Sequence, residues 1–157
     1  GGSMHFIDFS KGFLGGNGIV GGGLPSAVGA ALGRKLAGTD DVAVAFMGEG
    51  AVNQGVFHES LNLAAVWDVP LIAVVENNQY TQYSPYEVLT AGGDISARAQ
   101  GYGLPQIKVD GQDIAAVYEV AQQVIERLVR RKFDDVGQCM GGLKRRNDAL
   151  ATATDLQ

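Results

Sequence analysis

Two short apolar runs, separated by one helical stretch, constrain the fold of this chain more than any other feature. Residues 42–47 and 69–75 are almost wholly apolar; the first run stops at Gly48 and the second leads to Asn77 and Asn78. Continuous apolar runs of this length are typical of strands that are covered on both faces. The sequence therefore predicts two adjacent, buried central strands of a parallel sheet.

The segments around these runs have helical patterns. Residues 24–37 place Pro25 in a first helical turn and stop at Gly38, and residues 53–67 keep helical spacing with apolar positions around most of the circumference. Asp113 is suited as the N-cap of an amphipathic helix over residues 114–128. A short helix near residues 95–100 and a third strand at residues 106–109 complete the order. This alternation predicts an α/β fold with three layers, in which helices cover both faces of a mostly parallel sheet.

Composition limits the possible partners and the domain count. The 157 residues suffice for one domain, and a net charge of -5 argues against binding a polyanion such as nucleic acid. No apolar run reaches the roughly 18 residues that a membrane span requires. The single Cys139 cannot form an internal disulfide, which favours a reducing, cytoplasmic setting. We expect one domain at residues 1–130 and an unrelated tail at residues 131–157, partly helical or disordered.

Chemistry-bearing residues follow both predicted strands. Gly48, Glu49, Gly50 and Ala51 come at the carboxyl end of the first strand, and Asn78 follows the second. In a parallel sheet these ends lie at one edge, where ligands bind. Carboxylate and amide oxygens suit magnesium, and the helix that begins near residue 53 would direct its N-terminus at an anion in the same crevice. The pattern predicts a site for magnesium and a diphosphate.

Alternative interpretations of single motifs are weaker. Residues 16–21 fit the pattern Gly-x-Gly-x-x-Gly of dinucleotide-binding domains, but no convincing strand precedes them, and Asp40 and Asp41 come before the next strand instead of after it. His58 falls within a predicted helix, which favours a packed or surface histidine over a general base. The loop that contains Tyr80, Tyr83 and Tyr86 lacks interleaved basic residues, so we expect it to pack on the protein instead of stacking on nucleic acid.

A resemblance extends well beyond the motif. Five segments match in order: residues 1–5, 15–21, 53–67, 76–80 and 109–113. Through them the chain, up to about residue 130, resembles the alpha subunits of thiamine-diphosphate-dependent 2-oxo-acid dehydrogenases, the family of pyruvate, branched-chain and acetoin dehydrogenases. Residues 48–78 are similar to that family's thiamine diphosphate motif. A beta subunit supplies the carboxylate that activates the cofactor ring in this family, so the resemblance implies a beta-type partner.

The resemblance also implies roles for particular residues. Glu49 and Asn78 would supply magnesium-ligating side chains, and Tyr80 would supply a ligating backbone carbonyl. The diphosphate would lie against the glycine turn after the first strand, and the aminopyrimidine ring against the glycine-rich loop near the start of the chain. The implied cofactor-binding residues are Gly18, Val20, Gly48, Glu49, Gly50, Ala51, Asn78 and Tyr80. The resemblance assigns no catalytic residue to this chain.

Three departures from the family pattern shape the functional expectation. Glu49 stands where aspartate is usual, and its extra methylene displaces the carboxylate by about 1.5 Å. The upstream cofactor contacts are absent, and after residue 131 nothing resembles the family's next strand or its histidine-bearing loop. We therefore expect a piece truncated at both ends and inactive alone. It is expected either to bind thiamine diphosphate and magnesium weakly beside a beta-type partner, or to be a non-catalytic module that self-associates through residues 53–67.

Overall fold

The computed structural model describes residues 2–138. Nine helices and strands follow one another in this part of the chain, together with two 3₁₀ helices, Phe9–Lys11 and Glu49–Asn53. The elements are α1 (Gly23–Leu36), β1 (Ala43–Gly48), α2 (Gly55–Trp67), β2 (Leu71–Glu76), β3 (Tyr80–Thr81), β4 (Ser84–Pro85), α3 (Tyr86–Leu89), α4 (Ala97–Gln100) and α5 (Ile114–Gln138).

The sheet that organises the molecule is formed by β1 and β2. The two strands are parallel neighbours, with Ala43 opposite Leu71 at one end and Gly48 opposite Glu76 at the other. Helix α2 makes the connection between them, as a parallel pair requires. The prediction that these two apolar runs are adjacent parallel strands is confirmed, and both carboxyl ends lie at the same edge.

Helices cover both faces of this sheet. On one face, α1 and α2 pack with alternate residues of the strands, among them Ala45, Leu71 and Val75. On the other face, Ile72 packs with Val124 and Leu128 of α5. The predicted three-layer α/β architecture is therefore confirmed, with a core that consists mainly of small and branched aliphatic side chains.

One predicted strand is absent. Residues 106–109 form no strand among the residues that the structure describes. The side chain of Ile107 packs beside the sheet instead, and Lys108 forms an ion pair with Asp94 at 2.8 Å. Side-chain hydrogen bonds with Lys108 and Ser96 lower the pKa of the Asp94 carboxyl. The segment is thus held by side-chain contacts. The prediction was wrong because an apolar pattern does not show whether an edge of the sheet is free to pair with another strand.

The prediction that both strands are covered on both faces is wrong for β1. Its Val44 and Phe46 are 42% and 68% exposed, whereas Ile72 of β2 is buried. The reason is that the α5 side chains on this face pack with Ile72 and Val74 of β2 and with Val42, which precedes β1. The carboxyl end of β1 is consequently open on this side.

The predicted helices begin within two residues of their predicted starts, but α5 extends ten residues past its predicted end, from residue 128 to Gln138. Helix α2 begins at Gly55 because the preceding residues form the 3₁₀ helix Glu49–Asn53. Asp113 caps α5 as predicted, since its Oδ1 accepts hydrogen bonds from the backbone N–H groups of Ala115 and Ala116. The tail predicted from residue 131 is helical as far as Gln138, and its remaining residues lie outside those described. None of the described helices is long and apolar enough to span a membrane.

Candidate functional site

A cleft of about 700 Å³ lies at the carboxyl ends of β1 and β2. Its walls are the glycine-rich loop before α1, the turn after β1, the end of β2 and the β3–β4 hairpin. All eight residues that the sequence analysis assigned to cofactor binding line this cleft: Gly18, Val20, Gly48, Glu49, Gly50, Ala51, Asn78 and Tyr80. Glu49 and Asn78, which are 29 positions apart in the sequence, are thus brought to one site, as strand ends in a parallel sheet require.

The end of β1 presents a buried carboxylate. Glu49 is only 2% exposed, and its Oε1 has no hydrogen-bond partner among the described residues. It is buried because it opens the 3₁₀ helix Glu49–Asn53, in which Ala51 and Val52 also face the interior. Buried polar atoms in proteins almost always have partners, so an unpartnered carboxylate oxygen beside a cleft indicates a ligand that the protein alone does not supply.

The turn that carries Glu49 is anchored from behind. The side-chain amide of Asn53 donates a hydrogen bond to Thr90 Oγ1 at 2.8 Å, and the Arg98 guanidinium donates one to the carbonyl of Val52. Thr90 directly follows α3, and Arg98 lies in α4. These contacts fix the position of the 3₁₀ helix independently of any ligand.

The end of β2 is built differently, from two consecutive Asx turns. Asn77 Oδ1 accepts from the backbone N–H of Gln79 at 2.9 Å, and Asn78 Oδ1 accepts from that of Tyr80 at 2.8 Å. Asn77 is buried, whereas Asn78 is exposed on the cleft. The hydrogen bond to Tyr80 orients the Asn78 amide and leaves the second lone pair of its oxygen available.

The two strand ends touch at Gly50. A Cβ atom at this position would lie 2.5 Å from Thr81 Cγ2 and 3.3 Å from Thr81 Oγ1. Only glycine permits this approach of the β3–β4 hairpin to the turn after β1. The Thr81 hydroxyl is itself buried and, like Glu49 Oε1, has no partner in the part of the chain that the structure describes.

The glycine-rich loop closes the cleft opposite the strand ends. Gly21 adopts a φ of 78°, and a Cβ at Gly22 would lie 2.9 Å from Asn17 Oδ1. The loop thereby lies close to the start of α1, while Gln54, the N-cap of α2, lines the same cleft. Neither α1 nor α2 has a side-chain N-cap hydrogen bond. Uncapped backbone N–H groups of these helices therefore give this side of the cleft a positive potential.

Several cleft residues were missed by the sequence analysis. The polar and aromatic ones are Asn17, Phe46, Gln54, Glu76, Thr81 and Gln82. Glu76 could have been found, because it ends β2 opposite Gly48 and therefore shares the edge with Glu49. Thr81 could not, because the β3–β4 hairpin turns through Gln82 at a φ of 60° without a glycine to mark it.

The structure also tests the alternative interpretations of His58, the tyrosine loop and the motif at residues 16–21. His58 lies outside the cleft and pairs with the Tyr102 hydroxyl at 2.9 Å, as expected of a packed histidine. The expectation that the tyrosine loop packs on the protein holds for Tyr86, which is buried, but is wrong for Tyr83, which is 88% exposed at the hairpin turn. No strand precedes the Gly16 motif within residues 2–15, apart from an isolated bridge, so the dinucleotide interpretation lacks the context it needs.

A cation in this cleft would depend on mixed oxygen ligands. Among the side chains that the structure describes, no group of three His, Cys, Asp or Glu could hold a metal. One buried carboxylate, one amide oxygen and nearby backbone carbonyls are instead available. Magnesium is commonly bound in this way, through one or two carboxylates together with oxygens of a phosphate ligand.

Comparison with known proteins places the chain in a family. The family described as "Dehydrogenase E1 component" matches residues 1–137. The alpha subunit of acetoin:2,6-dichlorophenolindophenol oxidoreductase from Bacillus subtilis is 50% identical over 140 residues, which are 89% of this chain and 42% of that protein. The corresponding subunit from Cupriavidus necator is 51% identical over 127 residues, 81% of this chain and 38% of that protein.

One further relative and one solved structure are also similar to this chain. The pyruvate dehydrogenase E1 component subunit alpha of Rhizobium meliloti is 41% identical over 80% of this chain and 36% of that protein. A crystal structure described as "a putative thiamin diphosphate-dependent enzyme isolated from Mycobacterium smegmatis" matches 90% of this chain and 23% of that chain with a TM-score of 0.54 and 24% identity, which shows a shared fold. The chain thus spans about two fifths of the length of the curated relatives it matches. By its match over residues 1–137, the chain belongs to the dehydrogenase E1 component family.

Proposed function

We propose that this chain forms the diphosphate-binding half of a thiamine diphosphate site, of the kind found in alpha subunits of 2-oxo-acid dehydrogenases. The observation that carries the proposal is the buried, unpartnered carboxylate of Glu49, which lies on a cleft lined by every other position that the family resemblance assigns to the cofactor. A carboxylate so enclosed is costly unless a cation binds it.

Magnesium would be held by oxygens from both strand ends. Glu49 would provide the charged ligand from the end of β1, while the Asn78 amide oxygen and the Tyr80 backbone carbonyl would provide ligands from the end of β2. The extra methylene of Glu49, compared with the usual aspartate, displaces its carboxylate by about 1.5 Å. Magnesium tolerates little displacement because its ligands lie at roughly 2.0 to 2.1 Å in near-octahedral array. We therefore propose weak, magnesium-dependent binding.

The diphosphate would lie against backbone groups instead of basic side chains. No lysine or arginine lines the cleft within the described residues, so anion binding would depend on the cation and on backbone N–H groups. Gly48, Gly50 and Ala51 allow a phosphate to approach the main chain closely. The N-terminus of α2, whose N-cap Gln54 faces the cleft, adds the positive end of the helix dipole.

The reaction proposed for the assembled enzyme is oxidative decarboxylation of a 2-oxo acid or cleavage of acetoin. When bound, thiamine diphosphate would supply a nucleophilic carbon for the keto group and an acceptor for the electron pair that the cleavage releases. Gly18 and Val20 would flank the aminopyrimidine ring, and a beta-type partner would supply the carboxylate that activates it. This chain would bind and orient the cofactor, and would not by itself oxidise a 2-oxo acid.

Calorimetry tests the binding proposal directly. Titration of the chain with thiamine diphosphate in magnesium should give measurable binding that chelation of the metal abolishes. Thiamine without phosphates serves as the matched control, and it should not bind. Tight binding that persists without magnesium, or equal binding of thiamine, would contradict the assignment of the cleft.

An activity assay tests the statement that the chain is not catalytic alone. Reduction of 2,6-dichlorophenolindophenol can be followed with pyruvate or acetoin as donor, in the presence of thiamine diphosphate and magnesium. The purified chain should give the same rate as a blank without protein. A rate that depends on both protein and cofactor would show that a complete site forms without a beta-type partner.

A second candidate function is self-association, with or without cofactor. Helix α2 buries one face, yet Leu63, Val66 and Trp67 stay exposed on the other, with Val66 at 69%. An apolar strip of this kind is typical of an interface. Sedimentation velocity should show a dimer or larger species that Val66→Lys weakens. Leu36→Lys, at a leucine of α1 that is 79% exposed, should leave it unchanged. A monomer at high concentration would exclude this function.

A further inference from the structure

We infer that the hydroxyl of Thr81 is an additional contact to the diphosphate, one that the family's motif does not provide. The inference rests on the proposed function, because it assigns a further residue to the same site. It arises from the second of the two unpartnered oxygens beside the cleft. The proposed cation would bind the first, Glu49 Oε1. The proposed function names no ligand atom that would bind the second, Thr81 Oγ1.

The position of Thr81 is set by packing. Its methyl group approaches Gly50 so closely that a Cβ there would lie 2.5 Å from Thr81 Cγ2. Its backbone pairs with Ser84 in the β3–β4 hairpin, directly after the Asx turn of Asn78. The side chain therefore stands over the turn Glu49-Gly50-Ala51, the same turn against which the diphosphate is proposed to lie.

The hydroxyl has no acceptor in the described protein, and its burial keeps bulk water away. It is also not bonded to Glu49, since neither oxygen has a partner. A buried donor without an acceptor costs roughly 1 to 3 kcal/mol, which is recovered when an acceptor arrives. Thr81 itself lines the cleft, so a phosphate bound there is the kind of acceptor that the hydroxyl lacks.

The two unpartnered oxygens, Glu49 Oε1 and Thr81 Oγ1, suit different parts of the ligand. A carboxylate only accepts hydrogen bonds and repels phosphate, so Glu49 suits the cation. A threonine hydroxyl donates, and a phosphate oxygen is a strong, charged acceptor. Because no basic side chain lines the cleft within the described residues, one added donor represents a substantial share of the anion contacts.

Three variants separate the hydroxyl from the packing of the side chain. Thr81→Val keeps the branched shape against Gly50 and removes the donor, and Thr81→Ala removes the donor as well as the methyl. Thr81→Ser keeps the donor and removes the methyl, so it is the matched control. Each is titrated by calorimetry with thiamine diphosphate and with inorganic pyrophosphate in excess magnesium, after a thermal melt has shown which variants fold.

The expected result is a loss of about ten-fold in affinity for both ligands in Thr81→Val and Thr81→Ala, as a charge-assisted hydrogen bond implies. Thr81→Ser should stay within about three-fold of the original chain. The loss should persist when magnesium is raised a further ten-fold. That persistence distinguishes a contact to the diphosphate from an indirect effect on Glu49, which extra metal would overcome.

The possible outcomes test the proposed function and the role of Thr81 separately. If the original chain binds neither ligand, the proposed function fails and this inference fails with it. If the original chain binds both and Thr81→Val binds equally well, only the role of Thr81 is overturned. Equal weakening in Thr81→Ser and Thr81→Val, or recovery in excess magnesium, would also overturn it, because packing or metal placement would then explain the effect.

Discussion

The two strand ends that form the cleft differ in how they hold their polar side chains. After β1, Glu49 is buried with one oxygen unpartnered, and its turn is anchored from behind through Asn53 and Val52. After β2, Asn78 is exposed, and its oxygen already accepts a backbone hydrogen bond. One end therefore carries an unsatisfied charged group in a fixed place, and the other carries a satisfied neutral group at the surface.

This difference indicates which of the two strand ends contributes more to the free energy of cation binding. A buried carboxylate without a partner gains most when a cation arrives, whereas an exposed amide exchanges water for the same cation at little net gain. Substitutions at the end of β1 should consequently have larger effects on magnesium-dependent binding than equivalent substitutions at the end of β2. The following experiments examine that asymmetry in order of expected effect.

Glu49→Gln should have the largest effect. It keeps the size of the side chain and removes the charge, so magnesium-dependent affinity for thiamine diphosphate should fall by about 100-fold, in line with losing one partner of a buried charge pair. Calorimetric titration measures it. Glu76→Gln is the matched control, because Glu76 also lines the cleft but is exposed at the end of β2. A loss at Glu76 as large as that at Glu49 would remove the asymmetry.

Asn78→Ala should weaken binding by about ten-fold, because it deletes a neutral ligand and the turn that orients Tyr80. Asn77→Ala is its control at the same strand end. Asn77 makes an equivalent Asx turn with Gln79 but does not line the cleft. Both variants lose one side-chain-to-backbone hydrogen bond, so a greater loss of affinity in Asn77→Ala would show that the turns matter and the Asn78 amide does not.

Gly50→Ala examines the contact that joins the two ends. The added Cβ would meet Thr81 Cγ2 at 2.5 Å, and we expect a loss of about 1 to 3 kcal/mol in the free energy of unfolding, typical of overpacking. Urea denaturation without ligand measures it. The double variant Gly50→Ala with Thr81→Ser removes the clashing methyl and should recover most of the stability. Additive losses in the double variant would mean that the two residues are not in contact.

Glu49→Asp should have the smallest effect and the opposite sign. The shorter carboxylate restores the ligand position that magnesium prefers, and affinity for thiamine diphosphate should rise by about three-fold. The gain is modest because the side chain also leaves a small gap in a buried position. Calorimetry in parallel with the original chain decides the sign, and weaker binding by Glu49→Asp would show that the 3₁₀ turn already adapts to glutamate.

The sequence predicted the parts of the fold that depend on local pattern. The apolar runs that became β1 and β2 and the cap at Asp113 could be identified because burial and capping leave periodic or paired signals. That Glu49 and Asn78 lie together followed from the edge rule for parallel strands. The placement of Gly18, Val20 and Tyr80 was implied by family resemblance, and no spacing in the chain would have given it.

The errors come from contacts between distant segments. Whether residues 106–109 pair as a strand depends on a free edge, and whether Val44 and Phe46 are covered depends on the path of α5. The local sequence pattern predicts neither of these conditions. Thr81 escaped notice for the same reason, because its importance arises from a hairpin that brings it onto Gly50.

A thermal melt tests the central claim, that this cleft binds a diphosphate through a cation held by Glu49. The melting temperature of the chain is measured with thiamine diphosphate alone, with magnesium alone and with both, as ligand concentration is raised. Stabilisation should appear only with both present and approach about 2.7 kcal/mol at 100 times the dissociation constant. Glu49→Gln should abolish that stabilisation at the same concentrations. An unchanged melting temperature with both ligands, or the same rise in Glu49→Gln, would contradict the claim.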